Sequence, residues 1–190
     1  MPQPRHVIAL ELPKAPKLDA EMRAYFKLCR EKLGFLPNVL AAYTLRPEKL
    51  KNFVATYNTL MLGESKLSKL EREMIAVVVS CVNRCYYCLV AHGQAVRRLS
   101  GDPELGEMLT KNYRVAKLSR RHRAMLDFAW TLTETPAKVG DEDRALLRKA
   151  GFGDEDIFDI CDVAGFYNAS NRMATGLDMM PNPEYHKADR

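Results

Sequence analysis

The sequence predicts an all-α fold, and three observations carry that prediction. Prolines at 2, 4, 13, 16, 37, 47, 103, 136, 181 and 183 leave long Pro-free stretches between them. Within those stretches apolar residues recur at intervals of three and four. No stretch between turn signals alternates apolar and polar residues with a period of two.

The elements follow in order. Residues 1–17, with four prolines and the short apolar run Val7 to Leu10, read as an extended arm that lies against the body or a neighbour. A single helical domain is expected over 18–190. From Leu18, the positions Met22, Phe26, Cys29 and Leu33 share one helical face, and Gly34 stops the pattern. Pro37 to Tyr43 suits a short helix. Pro47 at a first helical position opens another through Phe53, Tyr57, Leu60 and Met61 to Gly63.

Ser68-Lys-Leu-Glu71 forms a capping box for a helix to about Val82, with Leu70, Met74, Val77, Val78 and Cys81 on one face. Asn83-Arg84 breaks it, and the next helix starts near Cys85 and ends at Gly101. Asp102-Pro103 opens a short helix, Ser119 caps one to about Glu134, and Asp141 begins one ending at Gly151. Asp154 starts a long helix through Ile157, Ile160, Cys161, Ala164 and Met173 to about Gly176. Leu67 to Met74 resembles Leu118 to Met125 in register, which suggests two related helical hairpins. The second copy has Ala124 where the first has Glu73, and it lacks the cysteines.

Composition narrows the partners. Lys and Arg number 29 against 24 Asp and Glu, a net +5 spread along the whole chain rather than gathered into the basic stripe of a nucleic-acid binder. The poorly charged stretch 74–96 has Asn83 and Arg84 at its middle and His92 beyond, so it reads as buried core and not as a membrane span. Five cysteines, an odd count, exclude a fully paired secreted framework, and no apolar leader follows Met1; a reducing cytoplasm is the expected compartment.

Chemistry concentrates in Cys81-Val-Asn-Arg-Cys85-Tyr-Tyr-Cys88-Leu-Val-Ala-His92. One reading is a redox dithiol. At a helix start, residues i and i+3 have Cα atoms about 5–6 Å apart, within disulfide range. The free N–H groups there stabilise a thiolate, and a thiol near pKa 8.5 is only about 3% ionised at pH 7. His92 shares a helical face with Cys88, and Glu73, on an inward stripe, needs a buried partner for which His92 is the natural candidate.

A second reading is a metal or cluster site. Cys81-x3-Cys85-x2-Cys88 matches the spacing of a radical iron–sulfur motif, but that motif sits on a loop after a strand, and no strand pattern exists here. Zinc on Cys85, Cys88 and His92 lacks a second distant ligand pair. The third reading is buried thiols acting as small hydrophobes, which suits Cys29, Cys81 and Cys161. A Cys-x-x-Cys at a helix start followed by a histidine is a costly coincidence under that reading. His6, His122 and His186 sit in polar or terminal contexts and are expected to be solvated, and Phe166-Tyr167 to serve packing.

These residues resemble a known pattern. Glu73-x11-Cys85-x2-Cys88-x3-His92 reproduces the signature of the AhpD-like alkylhydroperoxidases, within the carboxymuconolactone decarboxylase superfamily. Gly34-Phe-Leu-Pro-Asn38 and Asn171-Arg172 are similar to the uncharacterised peroxidase-related subgroup, and the resemblance spans about residues 20–180. It implies an all-α subunit that forms dimers, trimers or hexamers and reduces hydroperoxides without a cofactor or metal. An external thiol or dithiol, lipoyl- or thioredoxin-like, would restore it. Carried over residue by residue, Cys88 is the peroxidatic thiol, Cys85 the resolving thiol, and Glu73 with His92 a proton relay. Tyr87 departs from the family, whose best-known member has a histidine there, which bears on thiol activation and on the reducing partner. The resemblance leaves two other roles on the same scaffold: an adaptor that reduces a separate peroxidase, and a non-redox binding or decarboxylase-like protein.

Overall fold

The structure, a computed structural model, describes residues 3–190; the first two residues of the expected arm lie outside them. The chain is all-α, with ten α-helices and no strand among the described residues. They are α1 (Ala20–Leu33), α2 (Asn38–Tyr43), α3 (Pro47–Tyr57), α4 (Lys69–Val82), α5 (Tyr86–Ser100), α6 (Pro103–Asn112), α7 (Arg120–Glu134), α8 (Asp141–Lys149), α9 (Asp154–Gly176) and α10 (Glu184–Lys187).

α4 is the axis of the fold. The Ser68 Oγ accepts the Glu71 N–H at 3.1 Å while the Glu71 carboxylate accepts the Ser68 N–H at 2.8 Å, so the capping box forms as the sequence predicts. Every residue from Glu71 to Ser80 is buried, because α5, α6, α7 and α9 enclose the helix. Met74, Ile75, Val77, Val78 and Val79 are fully buried against Leu109, Leu126 and Ile160, each larger side chain contributing about 1.5–3 kcal/mol. The predicted one-sided stripe is therefore too narrow: α4 is wrapped all round. α5 and α6 approach closely at Gly106, where a Cβ would come within 3.1 Å of the Gly93 carbonyl.

Charges buried with α4 are satisfied. The Arg72 guanidinium donates to the carbonyls of Leu60, Gly63 and Leu67 at 2.9–3.0 Å, capping a π-helical turn, Asn58–Leu62, that extends α3. The sequence shows one continuous helix there. Burial alone would raise the Glu71 carboxyl, but the Ser68 N–H and Arg121, at 3.0 Å, hold it below its ordinary range.

α4 ends in a Schellman turn. Cys85 N–H bonds the Ser80 carbonyl at 3.0 Å, Arg84 N–H bonds the Cys81 carbonyl at 3.2 Å, and Arg84 takes the left-handed backbone at φ +52°. That turn delivers Cys85 to the N-cap of α5. Ser119 caps α7 on the His122 N–H just as Ser68 caps α4, in line with the internal similarity. The second unit differs after that point, because α8 intervenes before α9.

The arm lies on the C-terminal segment: Ala9 N–H bonds the Leu177 carbonyl at 2.9 Å and Met180 N–H bonds the Val7 carbonyl at 3.1 Å. Asn38 fastens the same segment, taking the Asn182 amide oxygen on its N–H at 2.7 Å and donating to the Met180 carbonyl at 2.8 Å. Several smaller expectations change. Met173 is 45% exposed, off the core stripe of α9. Cys29, Cys81 and Cys161 are half-buried rather than interior. His186, expected to be solvated, lies 3.0 Å from the Gln3 amide oxygen in a part-buried contact between tail and arm, while His6 meets the Asp178 carboxylate at 3.0 Å on the exposed surface. No described helix is long and apolar enough to cross a membrane.

Candidate active site

Three helices converge on the Cys-x-x-Cys. α5 supplies Cys85 at its N-cap, then Cys88 and His92; α4 supplies Glu73 and Ser80; α9 supplies Tyr167, Asn171 and Thr175. Cys85 and Cys88 are both free thiols, 1% and 2% exposed, packed with Tyr87, Ala91, Ala174 and Met179 and covered by Ile8, Val39 and Tyr185. The arm thus packs, through Ile8, against the apolar cluster that encloses the two thiols.

The expected Glu73–His92 partnership is present. His92 Nδ1 lies 2.7 Å from the Glu73 carboxylate, with the two side chains 12% and 10% exposed. A carboxylate accepts, so Nδ1 carries the proton and the Nε2 lone pair is the basic one. The Tyr167 ring stands edge-on to the imidazole, centroids 4.6 Å apart at 78°, and fixes its plane.

The two thiols titrate as a pair. The Cys88 thiol hydrogen-bonding to Cys85 is the largest cause holding Cys85 below the ordinary thiol range; burial opposes it, while the Cys88 backbone N–H, the Thr175 hydroxyl and His92 reinforce it. Cys88 is pushed far up because it carries that proton beside the Cys85 charge and is buried, with Asn171 and Ser80 acting in the other direction. The resting dithiol therefore places its charge on Cys85 and its proton on Cys88.

Tyr87 faces inward at 5% exposure and its hydroxyl accepts the Val39 N–H at 3.1 Å. The residue that departs from the family pattern thus anchors α2 to the start of α5 and presents no group to an incoming partner. Cys81 stands apart: its sulfur lies 3.2 and 3.3 Å from the Leu109 and Thr110 carbonyls, and burial pushes its thiol up to about 11. Among the described residues no three side chains of His, Cys, Asp or Glu converge as a ligand set for a metal.

Sequence reasoning missed the contribution of α9. Asn171, 1% exposed, donates to the Ser80 hydroxyl at 3.0 Å and accepts from Asn83 at 3.0 Å, tying the floor of the site to the α4–α5 turn. A polar residue on an otherwise apolar helical stripe, four positions after Tyr167, is the signal that marks it. Tyr167 itself, expected only to pack, carries a buried hydroxyl that no protein group among the described residues reaches, a state that costs about 1–3 kcal/mol.

Comparison with known proteins bears on this geometry. The model of the carboxymuconolactone decarboxylase family matches residues 47–110. The chain is 59% identical to an uncharacterized peroxidase-related protein from Silicibacter sp. TM1040, over the whole of both chains, with a TM-score of 0.95. It is 36% identical to an uncharacterized peroxidase-related protein with an alkylhydroperoxidase AhpD core from Ralstonia eutropha JMP134, over 98% of each chain, with a TM-score of 0.93. The debrominase Bmp8, solved with 2,3,4-tribromopyrrole, shares the fold at 16% identity and a TM-score of 0.79, over 95% of this chain and 96% of that one. Among curated proteins none matches.

Proposed function

The chain belongs to the AhpD-like branch of the carboxymuconolactone decarboxylase family, and on that premise we propose that it reduces hydroperoxides with the Cys85–Cys88 dithiol. The observation that carries this reading is the buried Glu73–His92 pair set one helical turn beyond a dithiol that shares a single proton.

In the proposed cycle His92 Nε2 takes the Cys88 proton as the Cys88 sulfur attacks the outer oxygen of the hydroperoxide. The S–O bond forms, the O–O bond breaks, and the departing alkoxide takes the proton back from His92 and leaves as an alcohol. Attack from Cys88 suits the four-residue spacing of Cys88 and His92 along α5, because one imidazole then both accepts and returns the proton. The resting charge on Cys85 then has its own use: an existing thiolate attacks the Cys88 sulfenic acid, forming the disulfide and expelling hydroxide, which takes a proton from solvent to become water. An external dithiol supplies two electrons and two protons to reopen it. Sulfurs 1% and 2% exposed suit a slender reductant, such as a lipoyl-like arm, better than a flat protein surface, and they favour direct peroxide reduction over the adaptor role. Cycling through a disulfide suits a reducing, cytoplasmic setting.

One equivalent of hydroperoxide, followed by mass analysis, should consume two thiols confined to Cys85 and Cys88; no loss there would overturn the reading. With Cys85→Ser a sulfenic acid should be trapped on Cys88. Trapping only on Cys85, in Cys88→Ser, would reverse the order of attack.

A further inference from the structure

Tyr167 is 1% exposed, and its hydroxyl is the one buried side-chain polar atom among the described residues that lacks a hydrogen-bond partner. Its ring packs nearly perpendicular to the His92 imidazole, with centroids 4.6 Å apart. Along α9, Tyr167, Asn171 and Thr175 follow at four-residue intervals and so lie on one face, and Asn171 and Thr175 are the α9 groups that act on Cys88 and Cys85. The charges of Glu73 and Cys88 both act on this phenol, so the unpaired hydroxyl lies within electrostatic reach of the relay and of the dithiol, at the edge where the central core meets the site.

We infer that the Tyr167 hydroxyl donates a hydrogen bond to the oxygen that departs when the O–O bond of a hydroperoxide breaks. The inference rests on the peroxidase reading above. A buried hydroxyl with no protein partner is stabilised only when an oxygen-bearing molecule enters the site, so its contribution grows as the bond breaks and charge develops on the departing oxygen. Burial and the negative charge of Glu73 keep this phenol protonated, and hence a donor. Tyr167 keeps its own proton throughout: the proton that completes the alcohol is the one His92 took from Cys88, so the balance of the reaction is unchanged.

The test compares Tyr167→Phe with the parent chain in two reactions of the same dithiol. Cumene hydroperoxide requires a departing oxygen, whereas alkylation by iodoacetamide expels iodide and does not. Oxidation should slow at least about ten-fold, with the alkylation rate, its pH profile and the thermal midpoint unchanged or the midpoint raised. An unchanged oxidation rate, or equal slowing of both reactions, would overturn the inference, the second by showing that Tyr167 acts through the dithiol itself. A midpoint lower by several degrees would also overturn it, because the hydroxyl would then have a structural partner. Replacement of Tyr167 by 4-fluorophenylalanine, which keeps the ring against His92 and lacks the donor, repeats the comparison if the Phe variant does not fold. A parent chain inert to peroxide would remove the peroxidase reading itself; a reactive parent with an equally fast variant removes only the role of Tyr167.

Discussion

Glu73 and His92, nineteen residues apart on α4 and α5, meet through a 2.7 Å hydrogen bond with both side chains nearly enclosed. The carboxylate fixes which imidazole nitrogen is basic. Glu73→Gln should therefore slow dithiol oxidation by about 10²-fold and alter its pH profile, because the amide no longer favours the imidazolium formed during proton transfer. Stopped-flow oxidation across pH checks this; a parallel profile at unchanged rate would remove the relay.

The same pair has a signature in stability. His92→Ala leaves a buried carboxylate without its partner and should cost about 3 kcal/mol in urea unfolding, whereas adding Glu73→Gln to that variant should recover part of the loss. Additive losses in the double variant would show that the two groups do not interact.

The reduced dithiol also predicts how stability depends on pH. Cys85 is lowered to about 6 in the folded chain, against about 8.5 for a free thiol. Between those values the unfolded chain binds the extra proton, so stability rises with pH through that window and the gain is lost as pH falls toward 6. Cys85→Ser should flatten this part of the curve. An identical slope in the variant would place the charge elsewhere.

Arg84 offers a test independent of catalysis. It holds φ +52° at the position of a Schellman turn where glycine is favoured. Arg84→Gly should stabilise the chain by roughly 0.5–1 kcal/mol in chemical unfolding, since it relieves the left-handed strain of a side-chain-bearing residue. A loss of stability would mean that the Arg84 side chain contributes more than its backbone costs.

Local signals carried most of the fold. Caps such as Ser68 and Ser119, stops such as Gly34 and Gly101, and Pro47 and Pro103 at helix starts all act within a turn of their own residue, and each marks an element that is present. The π-helical turn was invisible because Arg72, which caps it, lies nine to twelve residues away from the carbonyls of Gly63 and Leu60. The short α10, between Pro183 and Ala188, offered too little periodicity to read.

The site divides in the same manner. Cys85, Cys88 and His92 are one helix apart from nothing but themselves, and Glu73 announced itself as a carboxylate on a buried stripe. Asn171, Thr175 and Tyr167 reach the dithiol from α9 across a separation of about eighty residues, as the Asn171–Ser80 bond at 91 positions illustrates. Only packing reveals such partners. The inward turn of Tyr87 is likewise set by the Val39 N–H, 48 positions away.

The enclosure of α4 has a kinetic meaning. A segment buried on every side from Glu71 to Ser80 exchanges its amide hydrogens only when the whole molecule opens, so it should be the slowest-exchanging stretch of the chain. Glu73 inherits that clock. Local openings elsewhere in the chain can therefore occur many times over while the carboxylate that orients the base has not moved once.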